Sequence, residues 1–332
     1  MIVPENKEKS QFTLDEFGLI KKYFAPLAKP NSAHVDISLG DDCSVFAFAN
    51  DERLAVSVDT LVTGVHFPEQ ALPHQIATRA IAVSLSDLAA MGARPCGITI
   101  ALTMPVIDND WLEGFSRGLA QSLAHYAVPL VGGDTTCGPL CISVQVMGAL
   151  PKDQALTRSG AKPGDLVFVS GTLGDGAAAL ACLSSAHRCL EKDYFEDKFY
   201  RPVARIALGQ ALLAVANAGI DISDGLLADA GHIANSSSVA IELREESLPL
   251  SLAAKSHTSA KTLQQWALTG GDDYELCFCV SPERQEQVQK ISESLDVRLT
   301  KVGDVRSGEG VHCIDSSGQI IKIKTGGYQH FS

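Results

Sequence analysis

No run of about 18 apolar residues occurs anywhere in the chain, so no membrane-spanning helix is expected and no membrane partner. The first residues, MIVPENKEKS, are charged and lack the apolar centre of a secretion signal, which points to the cytoplasm. Basic residues are in deficit, 27 against 39 acidic, for a net charge of −12. A surface that neutralises nucleic-acid phosphates needs the opposite balance, so no nucleic-acid partner is expected. CxxC pairs are missing, and the nine cysteines are scattered and odd in number. Neither a disulfide framework nor a zinc knuckle is expected, and reduced thiols are the default. Cys277 and Cys279 share one face of an apparent strand, ELCFCV, and read as core filler. A GxxxxGKS/T loop and a GxSxG elbow are missing as well, which excludes a P-loop enzyme and gives no nucleophile elbow.

What the 332 residues do contain is enough for two ordinary cores, with 45% hydrophobic and 20% charged residues, as in a soluble globular protein. Thr13-Leu14-Asp15-Glu16 is a capping-box pattern opening a helix to about Phe24. Strand-like runs follow at 35–39, 44–48 and 54–58. PHQIATRAIAVSLSDLAAMG reads as a long helix, apolar nearly all round and therefore buried, with Pro73 near its start and Gly92 after its end. A strand at 95–104, a helix capped by Asp108 and a long strand at 140–150 complete the first half. The turn-rich stretch LTRSGAKPGD, residues 156–165, reads as a passage between domains. Strands at 166–170, 239–243, 274–280 and 297–305, with helices between them, follow it. Mixed strands and helices in each half imply two α/β or α+β domains, 1–150 and 151–332.

The functional signal is a set of isolated acids, each presented beside Ser, Thr or Gly. PLVGGDTTCGP, residues 129–139, places Asp134 after twin glycines at the end of an apolar run, where a backbone can turn or approach a ligand closely. Asp42 (LGDDCS) and Asp59 (SVDTLVTG) are presented similarly at the ends of strand-like runs. Asp87 lies inside the apolar helix among Ile81, Val83, Leu85, Leu88 and Met91, where a charge needs a partner or a metal. IDISDG supplies Asp221 and Asp224 at a helix start, where Ser223 or Asp224 also suits an N-cap. Bare carboxylates about 4 Å apart repel by roughly 4 kcal/mol at an effective dielectric near 20, so a cluster implies divalent cations. All-oxygen ligands point to Mg²⁺, and sparse histidine nearby argues against zinc. His66 (GVHF) reads as a metal ligand or a core histidine. Arg158 suits a phosphate contact if nucleotide binds near the passage between domains.

Gly174-Asp175-Gly176-Ala177-Ala178-Ala179 fits GxGxxA between a strand and a helix, the context of a dinucleotide site. The acid expected about 20 residues on should end a second strand; Glu191 and Asp193 instead sit in a polar, helical stretch. An NAD(P)-binding oxidoreductase is therefore the alternative of a different class.

GDDC, SVDTLVTGVHF, AVSLSDLAAMGA, VGGDTT-GP, ALTRSGAKPGD, IDISDGL, the GGDDYEL block and the terminal GY-HF, in this order, resemble the thiamine-monophosphate kinase family. That family sits in the superfamily of aminoimidazole ribonucleotide synthetase and selenophosphate synthetase, and the resemblance covers essentially the whole chain. It implies ATP-dependent, Mg²⁺-assisted phosphorylation of thiamine monophosphate to thiamine diphosphate. It further implies a homodimer in which the N-terminal, ATP- and Mg-binding sheet domain pairs with a second subunit, plus a C-terminal α/β domain that completes the site. Carried over, Asp42, Ser57, Val58, Asp59, Asp87, Asp134, Asp221 and Asp224 would hold magnesium, with Asp134 and Asp224 also catalytic. Gly133, Asp134, Arg158 and Ser223 would contact ATP, and His66, Asp272 and Tyr328 would line the substrate pocket. Val58 stands where the family often has Thr, and Asp272 where it usually has Glu. Another ATP-binding member of the superfamily is the second alternative.

Overall fold

The computed structural model describes residues 16–28, 33–39, 43–184, 189–321, 323, 327 and 328. Asp42 and most of the Thr13–Glu16 capping box lie outside the described residues. After a short helix α1 (Glu16–Leu19) and a π-turn, strands β1 (Val35–Ile37) and β2 (Val45–Phe46) pair as a small ribbon. Strands β3 (Glu52–Val62), β4 (Arg94–Met104), β5 (Leu130–Cys137) and β6 (Cys141–Pro151) form a mixed sheet in the order β3-β6-β4-β5. Only the β4–β5 pair is parallel, because helix α3 (Asn109–His125) carries the chain across between them. Asp108 caps α3 as expected, its Oδ1 accepting the Asp110 and Trp111 amides at 3.0 and 3.1 Å.

The second half is built on a larger sheet. Strands β7 (Leu166–Ser170), β8 (Ala218–Ile222), β9 (Ala240–Arg244), β10 (Glu275–Val280), β11 (Leu299–Arg306) and β12 (Gly310–Ile314) lie in the order β12-β9-β11-β7-β10-β8. Around it stand helices α4 (Asp175–Ser184), α5 (Lys192–Tyr200), α6 (Ile206–Leu212), α7 (Leu226–Ser237), α8 (Leu252–His257), α9 (Ala260–Thr269) and α10 (Gln285–Leu295). Each sheet has its own apolar core, so the architecture is a two-domain α/β arrangement of the α+β kind. Among the described residues no helix is long and apolar enough to cross a membrane.

Between the two sheets runs the apolar helix α2 (Pro73–Met91), hereafter αC for its central place, which precedes β4. Gly92 ends it in the left-handed region at φ 73°, donating its N–H to the Leu88 and Ala89 carbonyls. Fourteen of its nineteen residues are buried, because it packs on β3, β6 and α3 on one side and on α5, α6 and β8 on the other. An all-round apolar sequence is what a helix shared by two cores requires.

Two strands run further than the sequence pattern implied. GGDTT is not a turn: Gly132 to Thr136 continue β5 and pair with Thr99 to Thr103 of β4, and the chain reverses only at Gly138-Pro139. Asp59 likewise lies inside β3 and not at its end. The twin glycines serve close approach instead, since a Cβ on Gly133 would stand 2.2 Å from the Ile100 carbonyl oxygen. Gly133→Ala is therefore expected to cost about 1–3 kcal/mol through backbone overpacking. Urea denaturation would show it as a lower midpoint, and an unchanged midpoint would contradict the assignment.

Candidate active site

A cleft of about 340 Å³ opens where αC meets both sheets, and acids from three elements line it. Along β3 the side chains alternate, so Ser57, Asp59 and Leu61 face αC while Val56, Val58 and Thr60 face the other way. Asp87 projects from αC, and Ser57 donates a short hydrogen bond to its carboxylate. Asp221 comes from β8 of the other sheet, and Ser86 of αC donates to its Oδ2 at 2.7 Å. Burial raises the Asp59 carboxyl to about 6, with the Asp87 charge adding to it. The same two causes, in the same order, raise Asp221 to about 6. Among the described residues no lysine or arginine forms a salt bridge with Asp59, Asp87, Asp221 or Asp224.

The turn after β8 carries Ser223 and Asp224, both of which line the cleft. Neither caps α7. Gly225 occupies the N-cap position at φ 117°, and the buried Asp229 carboxylate accepts the Asp224 and Gly225 amides at 3.1 and 3.0 Å. Backbone hydrogen bonds then tie in two further segments, Asp272 N–H to Ser223 O at 2.9 Å and Tyr328 N–H to Asp224 O at 3.1 Å. His66, Asp272 and Tyr328 line the same cleft, and His66 Nδ1 accepts the Val62 amide at 3.0 Å.

Seven of the expected site residues thus share one cleft: Asp59, His66, Asp87, Asp221, Ser223, Asp224 and Asp272, joined by the exposed Tyr328. Ser57 stands one hydrogen bond behind them. Others are elsewhere. Gly133 and Asp134 line a larger cavity of about 880 Å³ together with Ser44, Thr99 and Gln145. The register explains the separation: Asp59 aligns with Val144, Ile100 and Gly133 across the sheet, whereas Asp134 aligns with Ala101, Ser143 and Thr60. Asp134 therefore projects from the opposite face to Asp59. Val58 is on that outer face too, 63% exposed. Arg158 is exposed and lines neither cavity. Among the described residues no three acidic, cysteine or histidine side chains converge closely enough to hold one ion.

The local geometry does not support the dinucleotide alternative. The Gly174 and Gly176 amides, which would meet a pyrophosphate, donate at 2.7 and 3.0 Å to the Asp273 carboxylate. The preceding strand β7 is antiparallel to both neighbours, so no parallel βαβ unit exists there. The reduced-thiol expectation is also corrected at one place, since Cys182 and Cys189 form a disulfide across the α4–α5 connection. Sequence reasoning missed Asp229, Asp273 and the buried Arg79. A signal for Arg79 was present, because it is a second charge inside the helix that made Asp87 conspicuous.

Two sheet domains around a shared helix, with an acid-lined cleft between them, define an AIR synthase related protein. Residues 40–150 match the family model for the AIR synthase related protein, N-terminal domain, and residues 162–315 the C-terminal domain. The thiamine-monophosphate kinase of Escherichia coli (strain K12) is 41% identical over 320 residues, 96% of this chain and 98% of that one. The crystal structure of thiamine-monophosphate kinase from Stenotrophomonas maltophilia K279a aligns with a TM-score of 0.84 at 40% identity, covering 93% and 98% of the two chains. A solved structure of AaThiL complexed with AMPPCP and TMP aligns with a TM-score of 0.76 at 33% identity, covering 96% and 100%. The chain belongs to the thiamine-monophosphate kinase family of AIR synthase related proteins.

Asp229 is the test of how the Asp224 turn is held. Asp229→Ala strands two backbone amides and is expected to cost about 1–3 kcal/mol, read by urea denaturation. Asp229→Asn keeps an acceptor oxygen and should recover most of that loss; equal stability of Asp229→Ala and the parent would contradict the account.

Proposed function

We propose that this protein transfers the γ-phosphoryl group of ATP to thiamine monophosphate, giving thiamine diphosphate and ADP, as a step of thiamine diphosphate biosynthesis in the cytoplasm. The observation that carries the reading is the convergence of Asp59, Asp87, Asp221 and Asp224 on a cleft that also holds His66, Asp272 and Tyr328. A relative, AaThiL, has been solved with AMPPCP and TMP, a nucleotide and a thiamine phosphate of the kinds proposed here.

The donor set fits magnesium. Buried carboxylates with raised proton affinity and, among the described residues, no salt-bridge partner favour a hard divalent ion, and the acids and serines that meet there offer oxygen. Mg²⁺ binds through one or two carboxylates plus substrate phosphates, so each ion would need only part of this acid set. Asp59, Asp87, Asp221 and Asp224 would hold the ions in the cleft, with Ser57 orienting Asp87 and with Asp42 and the Val58 carbonyl as further ligands. Bound magnesium would offset the repulsion between two polyanions and the charge gathered on the leaving ADP. Gly133, Asp134, Arg158 and Ser223 are assigned to ATP, Asp134 also to its metal, and Asp134 and Asp224 to catalysis. His66, Asp272 and Tyr328 are assigned to thiamine monophosphate.

Transfer is direct on this reading. The accepting phosphate, with a second pKa near about 6 by analogy with phosphoserine, is largely dianionic at neutral pH and is already a nucleophile. No side chain has to remove a proton from it, which accords with a cleft rich in acids and poor in bases.

The domain division is taken at 150/151, and the working unit as a homodimer. The outer face of the first sheet supports the second point, since Leu54, Val56 and Val58 are 49%, 50% and 63% exposed there. An apolar sheet face of this kind calls for a cover.

The test is formation of thiamine diphosphate and ADP from ATP and thiamine monophosphate with Mg²⁺. We expect ADP release only with thiamine monophosphate present, sequential kinetics, and an Asp224→Asn variant reduced about a hundredfold in kcat with its KM for ATP little changed. No thiamine diphosphate from the wild-type protein, or full turnover by Asp224→Asn, would overturn the proposal.

A further inference from the structure

Arg79, in the first half of αC and against the cleft, is the largest fully buried side chain among the described residues and a permanent charge. A buried guanidinium must have both its donors and its charge matched. Arg79 achieves this from three directions. Nε donates to the His66 carbonyl at 2.9 Å, Nη1 to the Phe199 carbonyl at 2.8 Å, and Nη2 to Asp272 Oδ1 at 2.6 Å. Its guanidinium carbon lies 3.9 Å from the centroid of the Phe199 ring. The three partners come from the loop after β3, the end of α5 and the loop before β10.

Two of those partners, His66 and Asp272, are the residues assigned above to thiamine monophosphate. Asp272 is held by more than Arg79. The Tyr274 hydroxyl donates to the same Oδ1 at 3.1 Å, and the Asp272 amide donates to Ser223 O at 2.9 Å. Asp272 and Tyr274 both sit in the left-handed region, at φ 69° and 50°, a conformation that non-glycine residues keep only when their surroundings fix it. Oδ2 receives no hydrogen bond from any described residue, and Asp272 lines the cleft. One carboxylate oxygen is thus anchored twice and the other is left as an acceptor of fixed direction.

We infer that Arg79 is a positioning residue for thiamine monophosphate: it fixes the Asp272 carboxylate through Oδ1 and the His66 segment through its carbonyl. Oδ2 is then presented to an N–H donor of the substrate. The aminopyrimidine ring of thiamine monophosphate carries such a donor. This inference rests on the functional reading above, and it assigns to Arg79 a role in recognising that substrate and none in binding ATP. Lysine keeps the charge but has a single nitrogen, so it cannot span three acceptors in one plane.

Steady-state kinetics on the full chain with both substrates varied tests it. Arg79→Lys and Arg79→Met are expected to raise KM for thiamine monophosphate about tenfold or more while KM for ATP stays within about twofold. In the Asp272→Asn background the same Arg79 changes should add little, because the two residues act as a unit. Tyr274→Phe keeps the ring packing, removes the second donor to Oδ1, and should raise the same KM about threefold. It tests the anchoring of Oδ1 even if the Arg79 variants do not fold. A folded Arg79 variant with both KM values unchanged, or with both raised in parallel, would overturn the inference, as would an unchanged KM in Tyr274→Phe. Failure of the wild-type protein to make thiamine diphosphate would instead remove the functional reading, and this inference with it.

Discussion

The structure depends on holding Asp59, Asp87 and Asp221 in a cleft between two apolar cores with, among the described residues, no salt bridge to any of the three. Elsewhere in the same region buried acids are matched one by one. Asp272 has Arg79, Glu275 has a two-pronged bond from Arg205 at 2.7 and 2.6 Å, and Asp273 has two amides. Asp175 has the hydroxyls of Thr172, Tyr194 and Ser251. Asp87 and Asp221 are met by serine hydroxyls and, among the described residues, by no basic partner, and burial works against the charge of Asp59 and Asp221. Four neighbouring acids are matched while these are left unmatched where a ligand can reach them, and the proposed magnesium rests on that contrast.

αC explains how the unmatched acids come together. It packs on both sheets, so residues eight apart along it serve both ends of one cleft: Arg79 reaches Asp272, Ser86 reaches Asp221, and Asp87 meets Ser57. The acids of one domain are therefore oriented by a helix that belongs equally to the other. Arg205 on the approach to α6 ties Glu275 in the same manner, and the GGDDYE segment is anchored by αC, by the start of α4 and by Arg205 in turn.

Much of this was legible in the residues, and what was not has a physical cause. αC announced itself by apolar residues all round, by Pro73 and by Gly92, and Asp87 by standing in that helix without a polar face. Asp59 and Asp134 looked alike because each follows an apolar run beside Thr. Their difference lies in strand parity: β3 and β5 both continue through these acids, and one residue of register decides which face of the sheet a side chain takes. Asp229 and Asp273 were hidden for another reason. Asp273 is the second acid of GGDDYEL and Asp229 lies three residues past IDISDGL, and each accepts backbone amides that only the folded turn aligns. The outer sheet face, by contrast, could not be separated from a core face by sequence, because both alternate apolar residues.

The central claim is that the cleft is built for divalent cations, and linkage between magnesium, pH and stability tests it most directly. Asp59 and Asp221 are raised from 3.8 to about 6 without a cation. A carboxyl whose folded pKa exceeds its unfolded one costs stability as pH rises between about 4 and 6, and that cost is fully present above about 6. Bound Mg²⁺ removes it by stabilising the ionised form. Tm should therefore rise with Mg²⁺ at about pH 7.5, and rise much less at about pH 5, at matched ionic strength. Asp221→Asn should shrink the difference. A Tm indifferent to Mg²⁺ at both pH values, or raised equally at both, would contradict the account.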